Sequence, residues 1–319
     1  MTSSLSISRR MFPNLTRAEP HLRDSTAVTR FQECPRKYFY SMVLGYKKDD
    51  DAPWLSFGNA YHKFREVLEL HWLADPSLAN SPDYVIAALE RATKYFKKHH
   101  KPIDKGSKWE FMNIDRLTQS CMLAAQHWLR EKKEKRIIVL AIEQPFQIQL
   151  DDGEIIAGRF DQTVDFSGKI WGRDFKTSSK NPSYYASSLS PNDQFTRYTY
   201  AENKLVGWDE NDQSQRPPVS GQLIEVIFGN KTLKPIIETY PAQRTKEEML
   251  TWKKEQLHLH KLMRECREED VWPMNTKSCN FCEYRKVCSA SSESMQQSIL
   301  KNNYRHEPWD CTHSSKEDE

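Results

Sequence analysis

Two aspartates and a lysine stand close together in residues 158–178, a segment with the apolar alternation of β-strands. A turn signal at residues 167–168 divides it into two antiparallel strands. The two-residue period of a strand places Asp174 and Lys176 on one face, with Asp161 on the neighbouring strand. Paired carboxylates bind hard cations such as Mg²⁺, which acidify a water and offset the charge of a phosphate, and a nearby ammonium can position or activate that water. The segment predicts a metal-dependent site for phosphodiester hydrolysis, whereas an isolated D-x-K would indicate only a charged surface hairpin.

A histidine on a predicted helix is a further candidate ligand. The helix covers residues 53–73, and Gly58, His62 and Glu66 follow at intervals of four along one stripe. The imidazole of His62 could supply a nitrogen ligand to a metal held by the two aspartates. The alternative is a structural histidine. Glu143, on the first predicted strand, could reach the same site through a water.

Polar residues on a later predicted helix, 192–205, are suited to contacts with nucleic acid. Gln194 and Tyr198 are four residues apart, and Arg197 is adjacent to Tyr198. Their amide, phenol and guanidinium groups can bind phosphates or base edges. An ordinary polar helix face is the alternative.

A basic segment adds to this evidence. Residues 91–108 hold seven Lys or Arg and one acid, which could neutralise several phosphates or form a solvated helix face. Arg36 and Lys37 could also contact a single-stranded backbone, with Tyr38 and Tyr95 nearby for base stacking.

Four cysteines form a candidate ligand set for a second metal centre. Cys279, Cys282 and Cys288 supply three thiols within ten residues, and Cys34 is the best candidate for the fourth. Thiolates bind Zn²⁺ or an iron–sulfur cluster. Spacing alone does not decide between them, although zinc is the commoner structural metal.

The elements that must position these residues change in character along the chain. Helical periodicity at 53–73, 83–100 and 110–135 gives way to strand patterns between 137 and 176, followed by a helix, two strands and a further helix to 268. This order predicts an α/β or α+β domain with helical insertions. Phosphate-binding G-x-x-x-x-G-K-[ST] and dinucleotide-binding G-x-G-x-x-G motifs are both lacking, which argues against a motor or a dinucleotide enzyme.

Composition narrows the class of protein further. The 319 residues include 47 basic and 44 acidic side chains, and the mean hydropathy is −0.80. No apolar run approaches the ~18 residues of a membrane-spanning helix, and no secretory h-region is evident, so we expect a soluble cytoplasmic protein. We expect unstructured termini at 1–25 and 291–319, and one domain over 26–290, with a helical insertion at about 74–135 and a cysteine segment at 279–288.

Four short motifs occur in a fixed order: G-x-x-x-H at 58–62, G-x-x-D at 158–161, D-x-K at 174–176 and Q-x-x-x-Y at 194–198. Together they resemble the PD-(D/E)XK nuclease superfamily, specifically its RecB-like branch, over roughly residues 27–290. The third motif has Asp174 where many members carry Glu. The resemblance implies a restriction-endonuclease-like α/β core with a mixed central sheet flanked by helices. It also implies that His62, Asp161 and Asp174 are metal ligands and that Lys176 is the catalytic lysine. Gln194 and Tyr198 would support the substrate or the site, and the adjacent Arg197 is a candidate for the same role.

The cysteine pattern resembles that of RecB-like nucleases that carry a 4Fe–4S cluster, including the AddB nuclease domain, CRISPR-associated nucleases and the exonuclease V group. This resemblance implies a structural cluster bound by Cys34, Cys279, Cys282 and Cys288, which would tie together distant parts of the chain.

The expected function is a deoxyribonuclease that uses Mg²⁺ or Mn²⁺ to cut single-stranded DNA or DNA ends as an exonuclease. Recombination, repair or phage DNA metabolism would employ such an enzyme, alone or with a helicase partner that separates strands. Three alternatives remain open: a CRISPR-adaptation-type end-trimming nuclease, a catalytically silent DNA-binding scaffold, and a zinc-stabilised nuclease.

Overall fold

The computed structural model describes residues 11–12, 15, 17, 22–48, 52–75, 82–134 and 136–311. The chain divides into two compact units. The first contains Met1–Asp49, Gln147–Gly158 and Thr251–His313, and the second contains Asp50–Phe146, Arg159–Leu250 and Ser314–Glu319. Each unit is described in turn.

The helices and strands of the described residues are as follows. The helices are α1 Ser25–Glu33, α2 Pro35–Tyr38, α3 Pro53–Ala74, α4 Asp83–His99, α5 Ile114–Glu134, α6 Pro182–Ala186, α7 Asp193–Leu205, α8 Lys246–Glu269, α9 Arg285–Cys288 and α10 Glu293–Asn303, with a π-helical turn at Phe39–Val43 and a 3₁₀ segment at Thr276–Phe281. The strands are β1 Leu22–Arg23, β2 Tyr46–Lys48, β3 Ile137–Gln149, β4 Ile155–Phe166, β5 Lys169–Ser178, β6 Val219–Phe228, β7 Ile236–Gln243 and β8 Tyr304–His306.

A mixed sheet forms the centre of the second unit. Strands β4 and β5 pair antiparallel, β5 and β6 pair parallel, and β6 and β7 pair antiparallel, while β3 pairs with β4. The parallel pair needs a crossover connection, which contains α6 and α7. The expected mixed α/β fold is therefore confirmed.

Both faces of this sheet are covered by helices, which explains why nine of the ten residues of β6 are buried. Phe175 and Ile227 pack into the core shared with α3, α4 and α5. Ile224 and Val226, on the opposite face, pack with Phe195 of α7. Asp174 is paired with Ile224 in the ladder, so it lies on the α7 face.

A buried ionic network connects α3 and α5 to the sheet. Glu225 of β6 is fully buried and contacts Arg173 of β5, Arg65 of α3 at 3.5 Å and His127 of α5 at 3.6 Å, while the hydroxyl of Tyr61 donates to it at 3.3 Å. A carboxylate in this position depends on its cationic partners, because an unpaired buried charge is costly.

The core of the first unit combines residues from both ends of the described chain. The ring of Phe39 stacks on Trp272 at 5.1 Å between centroids, and Tyr40 packs against Tyr284 at 5.5 Å. Strand β1 runs parallel to the first residues of β4, and β2 pairs antiparallel with β8. Across the described residues, no helix is long and apolar enough to cross a membrane.

Part of the expected C-terminal tail is ordered. Residues 293–303 form α10, whose N-cap Ser292 accepts a hydrogen bond from Met295, and Leu300 and Tyr304 are buried in the first unit's core. The segment is polar in composition, so the two buried apolar residues were not recognised in the sequence. The expectation of an unstructured tail is therefore wrong for 291–306. The structure also differs from the expectation for 1–25, because Leu22–Arg23 form β1 and Phe12 is buried in the first unit's core. Residues 1–10, 13–14, 16, 18–21 and 312–319 of the expected unstructured termini lie outside the described residues.

Candidate active site

The hairpin of β4 and β5 places the first acidic residue. Ser167 and Gly168 both have positive φ, 54° and 80°, as a two-residue turn between twisted strands requires. The ladder runs from Phe166↔Lys169 to Gln162↔Arg173. At the next position, Asp161 Oδ2 accepts the backbone N–H of Phe175 at 2.7 Å. A side-chain carboxylate therefore binds a strand N–H at the point where this ladder ends.

Asp174 and Lys176 project from the same face of β5. Asp174 is 1% exposed, and its Oδ2 lies 2.7 Å from Lys176 Nζ in an ion pair that is poorly aligned for a hydrogen bond. Burial raises the pKa of Asp174, Lys176 lowers it and Asp161 raises it, so the pKa rises to about 6. Burial lowers the pKa of Lys176, but the two aspartates outweigh burial and hold it above its ordinary value. The lysine is therefore a cation at neutral pH.

His62 reaches the same cluster from α3. Its Nδ1 lies 3.3 Å from Asp161 Oδ2, and its side chain is 30% exposed. Burial lowers the pKa of His62, yet the adjacent Asp161 carboxylate raises it by more. Conversely, burial raises the pKa of Asp161, but His62, Lys176 and the Phe175 N–H together hold it below its usual range.

Glu143 of β3 is a further acid of the cluster. It has a positive φ of 48°, which is uncommon for a residue other than glycine. Burial and the charges of Asp161 and Glu66 raise its pKa to about 7, against the opposing effects of His62 and Arg159. The structure thus brings Glu143, considered from the sequence as a water-mediated contact, into the electrostatic environment of the two aspartates.

Helix α7 contributes Tyr198 and Gln194. Gln194 Nε2 donates to the Tyr198 hydroxyl at 3.2 Å, and the Tyr198 ring packs edge-on against Phe146 and Phe160. Burial and the charge of Asp174 raise the pKa of Tyr198, so the phenol remains protonated. This places a neutral donor beside Asp174 and Lys176.

Arg197 has a different environment. Its side chain is fully buried, and its guanidinium contacts Asp193 of its own helix at 3.3 Å. A substrate contact by Arg197 is therefore not supported by its placement. The sequence pattern did not reveal this burial, because the burial depends on packing against other elements of the fold.

Tyr185 was missed in the sequence analysis. It lies on the five-residue helix α6, and its pKa is raised by burial and by the charge of Asp174. Its ring packs against Phe228 and Tyr240. No spacing relation links Tyr185 to the acidic residues, so only the fold could have identified it.

The four cysteines line one cavity of about 250 Å³ within the first unit. Cys34 is buried between α1 and α2, and the backbone N–H of Asn275 donates to its sulfur at 3.3 Å. The other three lie on the 3₁₀ segment, just after it, and on α9. Burial and the proximity of Cys34 raise the pKa of Cys282 and of Cys288. Cys34 therefore joins the C-terminal three in one pocket, with Lys37 also in its lining.

The residues expected to contact a nucleic-acid backbone or to stack on bases form two groups, one buried or paired within the protein and one exposed. Tyr38 is 2% exposed within the first unit's core and Arg36 donates to the Trp272 carbonyl at 2.7 Å, so neither is free for nucleic acid. Lys37 is paired with Glu33 at 2.6 Å. Most basic side chains of 91–108 are exposed on the end of α4 and the loop that follows.

Two aspartates, a lysine and a histidine thus form one cluster beside the central mixed sheet. The model of the PD-(D/E)XK nuclease superfamily matches residues 25–289, and the chain belongs to this superfamily, whose members are nucleases. No curated protein matches. Among solved structures, the chain is similar to SSO0001 at 12% identity, over 72% of this chain and 95% of that one, with a TM-score of 0.29.

Proposed function

We propose that this protein is a metal-dependent deoxyribonuclease that acts on single-stranded DNA or DNA ends. The observation that carries the proposal is the convergence of Asp161, Asp174 and Lys176 at the end of the β4–β5 ladder. Membership of a nuclease superfamily supports hydrolysis of phosphodiester bonds.

The residues of the site suit a divalent cation. Asp161 and Asp174 offer carboxylate oxygens and His62 offers a nitrogen, and crowding of the acids, together with burial, raises the pKa of Asp174 to about 6 and of Glu143 to about 7. A cation would relieve this repulsion. Mg²⁺ and Mn²⁺ prefer such oxygen-rich sites. When bound, such a cation lowers the pKa of a water molecule and offsets the negative charge of the phosphate.

The chain's own groups have distinct tasks. The Phe175 N–H fixes one oxygen of Asp161, so this carboxylate needs little rearrangement to act as a ligand. Lys176, protonated and partly exposed, can orient a water and stabilise negative charge that develops on the phosphate. Tyr198, held by Gln194, can donate a hydrogen bond beside this lysine without titrating at neutral pH.

Exonuclease action on single strands is the finer part of the proposal. It rests on the exposed basic residues of α4 and its following loop, which suit a phosphate backbone. The silent-scaffold alternative is less favoured, because clustered carboxylates without a cation carry an electrostatic cost. A CRISPR-adaptation-type role would use the same site and would differ in its cellular context.

We also propose that Cys34, Cys279, Cys282 and Cys288 bind a 4Fe–4S cluster with a structural role. Their common cavity has a volume of about 250 Å³, which leaves room for a polynuclear centre. The N–H of Asn275 already points at the Cys34 sulfur, as protein amides do around cluster thiolates.

Cleavage assays test the nuclease. Linear single strands, linear duplexes and closed single-stranded circles are incubated with Mg²⁺, Mn²⁺ or EDTA. We expect metal-dependent loss of linear strands with circles spared, and a loss of about 10²-fold or more for Lys176→Ala. Lys169→Ala, which removes an exposed lysine from the other end of β5, is the matched control. Cut circles would contradict exonuclease action, and full activity in Lys176→Ala would contradict the site.

Metal analysis tests the cluster on anaerobically purified protein. We expect iron and acid-labile sulfide in equal amounts, with about four of each per chain. Zinc without sulfide would support the zinc-stabilised alternative and would leave the nuclease proposal unaffected.

A further inference from the structure

A second cavity, of about 260 Å³, lies in the second unit at the carboxyl ends of β5 and β6. Thr177 and Ser178 of its lining directly follow the lysine of the proposed active site. At the strand rise of about 3.3 Å per residue, the cavity therefore begins within one or two residues of Lys176. Its lining contains none of the aspartates, the lysine or the histidine of the proposed active site.

Aromatic rings form one wall of this cavity. Trp54 lies in the first turn of α3, and Trp109 lies in the loop before α5. Their ring centroids are 4.9 Å apart, and the ring planes are inclined at 47°. Trp54 remains 47% exposed, and Phe111 continues the wall at 6.4 Å from Trp109. Neighbouring aromatic side chains that leave a contiguous apolar area in contact with water are typical of a binding site.

The charged side chains in the lining of this cavity are positive. Arg116 and Lys180 belong to the lining, which contains no acidic residue among the described part of the chain. Lys108 lies over the Trp109 ring, with its Nζ 4.8 Å from the centroid. Aromatic faces bordered by cations favour a ligand that is itself planar and anionic, which fits a nucleotide better than an apolar peptide.

Helix α3 connects this cavity with the carboxylates. Trp54, Gly58 and His62 occur at intervals of four and therefore lie on one stripe of the helix. Gly58 lies close to β5, since a β-carbon there would be 3.4 Å from Thr177 Oγ1. Eight residues of helix span about 12 Å, which is a few nucleotides of a single strand.

We propose that the Trp54–Trp109 cavity binds an unpaired nucleobase of the substrate strand, a few nucleotides from the phosphate that is cut. This inference rests on the proposed nuclease function and adds where the single strand is held, by stacking on aromatic rings rather than by sequence. The cavity has room for about nine waters, enough for one base. Stacking requires a base that is free of its complement, so the cavity disfavours intact duplex.

Fluorescence of 2-aminopurine tests the stacking directly. Short single-stranded DNA carries the probe at successive positions from one end, and Ca²⁺ replaces Mg²⁺ so that binding is measured without turnover. We expect strong quenching at one position with the wild-type protein. Trp54→Ala and Trp109→Ala should each lose this quenching and bind about 5- to 150-fold more weakly. Trp54→Phe keeps an aromatic ring and should retain most of the quenching and most of the DNA affinity.

Leu55→Ala is the matched control, because Leu55 adjoins Trp54 on α3, is 51% exposed and does not line the cavity. An abasic residue at the quenched position should weaken binding to the wild type and leave binding to Trp54→Ala unchanged. Unaltered affinity and quenching in both tryptophan variants would overturn the inference, as would a segment of another protein binding there with DNA affinity intact.

The same preparations separate this inference from the proposed function. If the wild type cuts linear strands and the tryptophan variants bind DNA normally, the nucleobase cavity is refuted and the nuclease stands. If the wild type neither binds nor cuts DNA with any of the metals, the nuclease proposal fails and the cavity proposal fails with it.

Discussion

Replacing one buried carboxyl group should change how the stability of this protein depends on pH. Glu202 of α7 is 2% exposed and accepts hydrogen bonds from Thr163 at 2.8 Å and from Gln222 at 2.7 Å. Burial raises its pKa from 4.5 to about 8, and the two hydrogen bonds only partly oppose this. The folded protein therefore keeps a proton at neutral pH that the unfolded chain has lost.

The sign of the effect follows from this difference in bound protons. Between pH 4.5 and about 8 the unfolded state binds fewer protons than the folded state, so the free energy of unfolding falls as the pH rises. The stability linked to this group is fully present below pH 4.5 and is lost by about pH 8. At 1.36 kcal/mol for each pH unit, up to about 3 kcal/mol is lost by pH 7.

Glutamine has the same shape as protonated glutamate and can satisfy both hydrogen-bond partners. We expect Glu202→Gln to be more stable than the wild type by up to about 3 kcal/mol at pH 7 and by less than about 1 kcal/mol at pH 5. Urea denaturation at pH 5, 6, 7 and 8 measures both values. Glu90→Gln, at an exposed position of α4, is the control. If the difference between Glu202→Gln and the wild type did not change with pH, the reasoning would be wrong.

Three further substitutions have defined outcomes. Gly221→Ala should destabilise the fold by about 3 kcal/mol or more, measured by denaturation, because φ is 151° and a β-carbon would lie 2.4 Å from the Ala242 carbonyl oxygen. Glu225→Gln should cost about 3–5 kcal/mol in the same assay by leaving buried cations unpaired, and an unchanged midpoint would contradict the role of the network. Cys34→Ser should abolish the visible absorbance of a bound cluster, whereas Cys266→Ser, outside the cysteine cavity, should preserve it.

The sequence was sufficient for the fold class because its periodicities are long and regular. Helix α3 begins and ends within one residue of its expected position, and the turn expected at 167–168 joins β4 to β5. Strand alternation then placed Asp174 and Lys176 on a common face, as the structure has them. These are local properties, which the sequence encodes directly.

Other features depend on contacts between distant residues. The burial of Arg197 and the approach of Tyr185 to Asp174 arise from packing around the sheet. The cavity of Trp54 and Trp109 unites two segments separated by more than fifty residues. No period in the sequence relates such residues, so their proximity could be known only from the tertiary structure.

The composition of the first unit has a consequence for protein synthesis. The second unit's described core comes from residues between 50 and 250, whereas the first unit needs Phe39 and Trp272 in contact. At about 5–20 residues per second, Cys34 leaves the ribosome roughly 10–50 s before Cys279 is added. During that interval its thiol has no partner from the C-terminal segment. Assembly of this unit, and any cofactor loading within it, therefore waits until Trp272 and the three cysteines from 279 to 288 have been translated.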